Sequence, residues 1–444
     1  MKEQIHNLKK LRPYLAAAVC FVILTFAQAI SAQKLSNNQI HRGRTILKII
    51  KSEMKEHYYD PQFRGIDLDS RFNEAEEMIK QASSEGEIFA IIALLLVNFN
   101  DSHTYFIPPF RIAPVEYGWR MQMVGDKCLV VAVKAGSDAE ARGLKAGDEV
   151  LAMGGMRPSH ADLWKIDYFY NIAPKIQAEL TVRSPGEPPR DLVIKSKVLK
   201  SRKERINEWR EKPEKGEEEL SMAVWAGRYH EIGQDLFIWR MHSFDFHKDR
   251  IDEMMNKARK FKTLIIDLRG NGGGYEETML RLIGHFIDED LQIGELVRRK
   301  ERLPLRAKTI GKNVFRGKLV VIVDSKSASA AEIFARAMQM RKRATIIGDR
   351  SAGAVMRGRH YEKPVFDSDN RTTRSIFAVS ITDADIVMAD GKSLEHFGMI
   401  PDEIVLPTEA DIVSGRDSVL SHAAALLDVK IEPERAAKFF PFDW

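Results

Sequence analysis

The chain carries three successive patterns of apolar and polar positions. Near the N-terminus, Ile40 to His57 and Phe72 to Ala82 place apolar residues three and four apart. Glu87 to Phe99 is more strongly apolar, and the spacing predicts helices in all three places. Pro108-Pro109 ends this region. From about residue 114 to 200 the pattern shortens to strands and turns. Trp119, Met121 and Met123 alternate with polar positions, Leu129 to Val133 reads as a strand, and Gly154-Gly155 reads as a turn. From about 221 onward, apolar runs at Leu236–Met241, Thr263–Leu268, Leu319–Val323 and Thr345–Ile347 alternate with helical patterns. These helices fall at about Arg250–Lys260, Glu276–Phe286 and Ala330–Met340. Alternating strands and helices predict an α/β fold with a largely parallel sheet covered by helices.

Composition divides the chain further. Lys2, Lys9, Lys10 and Arg12 precede a short apolar run from Leu15 to Phe26, and Ala27-Gln28-Ala29 or Ala32 offers a small-residue cleavage site. This is the pattern of a secretory signal peptide, so an exported protein, periplasmic or extracellular, is expected. Removing residues 1–29 lowers the formal net charge from +5 to +2. The basic excess therefore gives no argument for nucleic acid as a partner. Lys200 to Glu219 is too charged to bury anything and reads as a linker. The expected divisions are a signal peptide over 1–32, a helical segment over 33–113, a strand-rich domain over 114–200, a linker over 201–220 and an α/β core over 221–444. Only Cys128 would remain after cleavage, so no internal disulfide is expected. No His, Cys and Asp cluster has ligand spacing, so neither metal nor other cofactor is expected.

Two segments of the core could carry chemistry. Val320-Val321-Ile322-Val323 leads through Asp324-Ser325-Lys326-Ser327-Ala328 to Ser329, where a buried strand hands over to a helix. A hydroxyl there lies near unpaired backbone N–H groups able to stabilise an oxyanion. Ser329-x-x-Glu332 equally fits a capping box. The second segment, Asp267-Leu268-Arg269-Gly270-Asn271-Gly272-Gly273-Gly274, also follows a strand. It lacks the Lys-Ser/Thr of a phosphate loop, and Tyr275 stands where a dinucleotide fingerprint wants a small residue. Its glycines permit close backbone approach to a ligand, or simply a tight turn.

The order of motifs resembles the C-terminal processing peptidases, or tail-specific proteases, and the related tricorn core. These motifs are Asp101-Ser102-His103-Thr104, Gly143-Leu144-Lys145-Ala146-Gly147-Asp148, the glycine-rich segment, Ser327-Ala328-Ser329-Ala330-Ala331-Glu332, and Asp390-Gly391-Lys392-Ser393-Leu394-Glu395-His396-Phe397-Gly398-Met399-Ile400-Pro401-Asp402. The resemblance implies a crotonase-like α/β peptidase core, a PDZ-like domain and serine peptidase chemistry. It implies Ser329 as nucleophile, with the N–H groups of Ala330 and of a glycine in the 272–274 run, Gly273 first among them, as oxyanion donors. It also implies a peptide carboxylate-binding loop near Tyr117, Gly118 and Trp119, and a peptide or protein as partner.

The chain departs from the processing peptidases where they carry a general-base lysine. In Gly348-Asp349-Arg350-Ser351-Ala352-Gly353-Ala354-Val355 that position is Ala354, which cannot take a proton. Lys326 and Arg350 do not match the base. The tricorn-like members use Ser, His and Glu, which implies His103 as base, Glu395 as its orienter and Ser102 as an assistant. Asp385 and Asp390 are rivals to Glu395. The expected function is an exported serine peptidase whose activity declines as pH falls through roughly 6–7, following a free imidazole. The competing expectation is a non-catalytic peptide-binding relative, with hydrolysis of a non-peptide ester as a third.

Overall fold

The computed structural model describes residues 35–109, 115–172, 175–199, 228–366 and 374–441. The expected signal peptide and the 201–220 linker lie outside the described residues.

The N-terminal region contains α1 (Asn37–His57), α2 (Leu68–Gln81) and α3 (Glu85–Val97). Each starts at a side-chain cap. Ser36 and Gln39 form a capping box, Asp67 accepts from the Ser70 N–H, and Ser84 accepts from the Glu87 N–H. Ile46, Ile50, Met54, Phe72, Ile79, Ile92 and Leu96 are buried between these helices. The segment ends in a strand, β1 (Tyr105–Ile107), which the helical pattern had hidden.

The second region holds β2 (Val115–Glu116), β3 (Trp119–Val124), β4 (Lys127–Val133), β5 (Glu149–Met153), β6 (Gln177–Arg183), β7 (Arg190–Lys195) and β8 (Lys197–Val198). Strands β3 to β7 form a five-stranded antiparallel sheet in chain order, and β2 pairs with β8. Helices α4 (Asp138–Ala141) and α5 (Leu163–Ile172) accompany it. Its core is its own, built on Met121, Val130, Leu144, Ile166, Leu180 and Val182.

The third region contains β9 (Arg228–Ile232), β10 (Leu236–Arg240), α6 (Asp249–Ala258), β11 (Thr263–Asp267), α7 (Glu276–Gly284), β12 (Leu291–Val297) and β13 (Arg302–Ala307). There follow β14 (Lys318–Val323), α8 (Ala330–Met340), β15 (Thr345–Gly348), β16 (Met356–Phe366), β17 (Arg374–Met388) and β18 (Glu403–Ile404). A six-stranded sheet runs β18-β15-β14-β11-β10-β9, parallel except for β9 at its edge. The expected α/β body is therefore present, and α8 spans the residues read from the pattern. One face of this sheet buries Trp239, Ile266, Val321 and Val323 against helices α6 to α8. The other buries Ile238, Ile265, Val320 and Ile322 against α9 (Ser418–Ala425) and the chain that follows it.

A second sheet of five strands, β1-β17-β12-β13 with β16 also on β17, is an addition to the expected architecture. Every pairing in it is antiparallel. Strand β17 is its spine. Phe377, Val379 and Ile381 pack among the N-terminal helices, while Ala384, Ile386 and Met388 pack in the core under α7 and α8. Because β1 pairs with β17, the residues just before β1 are pinned to the core.

Candidate active site

Ser329 stands between β14 and α8 with φ 55° and ψ −119°. A non-glycine residue held there is strained, and it persists only where neighbours determine it. Glu332 is the neighbour that does so. It is fully buried and accepts four hydrogen bonds: from the Ser329 N–H at 3.0 Å, the Ala354 N–H at 3.0 Å, the Gly353 N–H at 2.8 Å and the Ser351 hydroxyl at 2.6 Å. The capping-box glutamate thus ties the nucleophile's backbone to the loop after β15. Burial pushes its carboxyl up to about 7 against those four donors. The Ala354 side chain offers no base, and its N–H is one of the four donors.

The Ser329 hydroxyl lies 3.2 Å from Nε2 of His103, a residue 226 positions away in the chain. Nδ1 of the same ring is 2.8 Å from the Ser102 hydroxyl. That hydroxyl is 2.9 Å from Oε2 of Glu395, and the Ser102 N–H donates to Oε1 at 3.0 Å. The Val355 N–H donates to Oε2 at 2.7 Å. Glu395 therefore accepts three bonds. With Ser102 donating to Glu395, Ser102 accepts from Nδ1–H, and the bare Nε2 is left to accept from Ser329. Glu395 reaches the ring through the Ser102 hydroxyl, and its carboxylate is held by the N–H groups of Ser102 and Val355. The rivals are elsewhere: Asp385 accepts from the Ser393 hydroxyl and Asp390 pairs with Arg336.

Burial sets the protonation states. It pushes the His103 imidazole down to about 4, with Asp101 pulling the other way. A ring that is neutral at pH 7 is ready to accept a proton, and its acid limb falls below the 6–7 range of a free imidazole. Burial also pushes Glu395 up to about 7, opposed by the Ser102 N–H, with Asp101 raising it further.

Close backbone approach makes this geometry possible at two glycines. A Cβ on Gly273 (φ +97°) would stand 2.6 Å from Cβ of Ser329 and 3.1 Å from the Ala330 nitrogen. A Cβ on Gly358 of β16 would stand 2.8 Å from the Ser380 hydroxyl and 3.2 Å from Cβ of His103. Of the two expected oxyanion donors, the Ala330 N–H has no acceptor among the described residues. Gly273 needs correcting, since its N–H is already donated to the Asn271 side chain at 2.9 Å. The Asn271 side chain is fully buried and bonds the Met241 carbonyl, which fixes it in that role. The next N–H, that of Gly274, has no acceptor among the described residues.

The residues expected at a peptide carboxylate-binding loop pack within the five-stranded domain. Trp119 is buried in the core of the five-stranded domain. The Tyr117 ring packs on Trp119 and Tyr170, and its hydroxyl accepts the Lys175 N–H. Gly118 is pressed against Ser137, where a Cβ would stand 2.5 Å from Cβ of that serine.

Helix α5 of that domain touches both halves of the site. Lys165 donates to the Asn100 side chain, just before the Ser102-His103 pair. The Tyr168 hydroxyl bonds both the Phe106 N–H (2.9 Å) and the Phe106 carbonyl (2.8 Å) in β1. Asp167 pairs with Lys326 in the turn before Ser329 at 3.7 Å. The hairpin between β3 and β4 adds a third tie: the Ser325 hydroxyl donates to the Met123 carbonyl, and the Gly125 N–H to Asp349. None of these contacts follows from local sequence pattern.

A polar relay ending on a strained serine at a helix start defines the class of the nucleophilic serine hydrolases. Comparison with known proteins narrows it. Residues 238–405 match the sequence model of peptidase family S41, so the third region carries an S41 peptidase domain, and curated relatives named tail-specific and carboxyl-terminal-processing proteases support a C-terminal processing peptidase. It is 24% identical to tricorn protease homolog 2 of Streptomyces coelicolor over 401 residues, covering 84% of this chain and 31% of that one. It is 24% identical to the tail-specific protease of Haemophilus influenzae, covering 64% and 41%. A carboxyl-terminal-processing protease of Picosynechococcus is 23% identical, covering 77% and 78%. The chain thus spans less than half the length of the first two. Among solved structures, mature CPAF superposes with a TM-score of 0.61 at 14% identity, covering 88% of this chain and 96% of that one, which is a likeness of fold.

Proposed function

We propose that the chain is an exported serine peptidase acting on peptides or the C-terminal regions of proteins, with His103 in place of a lysine base. The observation that carries this is the unbroken run of polar contacts from Ser329 through His103 and Ser102 to Glu395. Attack by the Ser329 oxygen on a peptide carbonyl passes its proton to Nε2 of His103. The tetrahedral oxyanion would be met by the Ala330 N–H and by that of Gly274. Nε2 then returns the proton to the leaving amine, and water repeats the sequence on the acyl-enzyme. Ser102 and Glu395 keep the proton on Nδ1 throughout.

In this reading the third region is a crotonase-like core and the five-stranded domain is PDZ-like. With Trp119 buried and Tyr117 packed on it, that domain's contribution is to hold α5 and the β3–β4 hairpin against the catalytic loops. No helix among the described residues is long and apolar enough to cross a membrane. Export therefore rests on the leader pattern at residues 1–32.

The test is reaction of the full chain with a fluorophosphonate, followed by peptide mapping, beside cleavage of a panel of peptides with free or amidated C-termini and a p-nitrophenyl ester. Labelling at Ser329, with peptide cleavage lost in Ser329→Ala, is expected. Folded protein that is never labelled would support a binding protein instead, and ester turnover without peptide turnover would support an esterase.

A further inference from the structure

The loop that carries His103 holds a second carboxylate. Asp101 is fully buried, and its Oδ1 accepts the His103 backbone N–H at 3.0 Å and the Thr382 hydroxyl at 2.6 Å. Its Oδ2 is buried with no hydrogen-bond partner among the described residues. A buried carboxylate oxygen left in that state is costly and calls for an explanation. Around Asp101 stand Tyr58 and Tyr59 from the chain after α1, Arg64 from the next turn, and His396 beside Glu395. Its charge raises Tyr58, Arg64, His396 and His103 alike. Around His103 the remaining titratable groups are Glu395, reached through Ser102, and His360 of β16, whose charge opposes protonation of the ring.

Acyl transfer makes a buried imidazolium at His103, which needs a negative charge nearby. Both oxygens of Glu395 are already occupied by the Ser102 N–H, the Ser102 hydroxyl and the Val355 N–H. Asp101 commits Oδ1 to the His103 N–H and the Thr382 hydroxyl, and the buried Tyr58 hydroxyl stands beside the same carboxylate. We propose that Asp101 is a positioning residue for His103: it fixes the loop backbone and supplies the standing negative charge that the imidazolium meets, while Glu395 acts through Ser102 on ring orientation and tautomer. This rests on the Ser–His reading of the site and adds a residue to it. Charge and orientation are thereby divided between two carboxylates.

Asp101→Asn keeps an acceptor for the His103 N–H and removes only the charge. The experiment measures kcat and KM from pH 4 to 9, normalised to active sites counted by fluorophosphonate. Per active site, kcat is expected to fall roughly 10–100-fold with KM nearly unchanged, and the acid limb to move to lower pH, because the imidazolium has lost its counter-charge. Thr382→Val leaves the charge and removes one of its donors, so its acid limb is expected to move to higher pH. An unshifted acid limb in Asp101→Asn, whatever the loss of active sites, would reduce Asp101 to a structural brace. If Asp101→Asn does not fold, Thr382→Val decides: an upward shift supports the proposal and no shift overturns it. Failure of the underlying reading looks different, since the wild-type chain would then not be labelled at Ser329 or would retain activity in His103→Ala.

Discussion

The nucleophile half and the base half of this site are built by opposite means. Ser329 sits between β14 and α8, and the residues that hold its backbone lie within 25 positions of it: Glu332 to its C-terminal side, and Ser351, Gly353 and Ala354 beyond β15. His103 is brought to it from the far end of the chain by contacts that each span a long stretch of sequence. Those contacts are Thr382 to Asp101, Glu395 to Ser102, Tyr168 to Phe106 and the pairing of β1 with β17. A local half keeps its shape as long as the core is folded. A half assembled at a distance can be displaced while the core stays intact, so catalysis should be easier to lose than stability.

The largest effect should come from breaking the local half. Glu332→Ala would strand three backbone N–H groups and a hydroxyl in a buried place, at a cost of about 3–5 kcal/mol. The expected outcome is a large drop in melting temperature together with loss of fluorophosphonate labelling. An equally stable, unlabelled variant would show that Glu332 acts on chemistry alone. Next comes Ser102→Ala, which cuts the link between His103 and Glu395 while leaving the core untouched. Turnover should fall by roughly 10²-fold with an unchanged melting temperature. Ser102→Thr, which restores the hydroxyl, should recover most of it.

The smallest effect is expected at the bridge between domains. Tyr168→Phe removes both bonds to Phe106, worth about 1–3 kcal/mol of local stability. Hydrogen exchange should rise at β1 and around Ser102-His103 but not around Ser329-Glu332. A uniform rise in both places would contradict the separation of the two halves.

The same contrast explains what could be read in the sequence. Strands β10, β11, β14 and β15 and helices α6 to α8 are continuous apolar runs and helical patterns, each legible in its own window, whereas the short outer strands β9 and β18 are not. Ser329 and Glu332 lie in one such window. The second sheet was hidden because its strands come from residues 105–107, 291–307 and 356–388, and no window contains two of its three parts. Strand β17 does carry a legible alternation at Phe377, Val379 and Ile381, which could have revealed it. Ser102 could be placed in the site by resemblance, but its position between His103 and Glu395 depends on two N–H groups that no side-chain pattern records. Gly273 was misjudged for the same reason: whether its N–H is free depends on where Asn271 points. Tyr117, Gly118 and Trp119 were assigned by resemblance alone, and the side chains of Tyr117 and Trp119 pack on the five-stranded domain's core.

The central claim is that His103 activates Ser329. It is tested most directly by the rate of fluorophosphonate labelling at Ser329 as a function of pH, in the wild-type chain and in His103→Ala. The account predicts a wild-type rate that keeps an acid limb below the range of a free imidazole, following the depressed His103 ring. It predicts a rate at least about 10³-fold lower in His103→Ala across that range, with the fold retained. Labelling at wild-type rate in His103→Ala would contradict it.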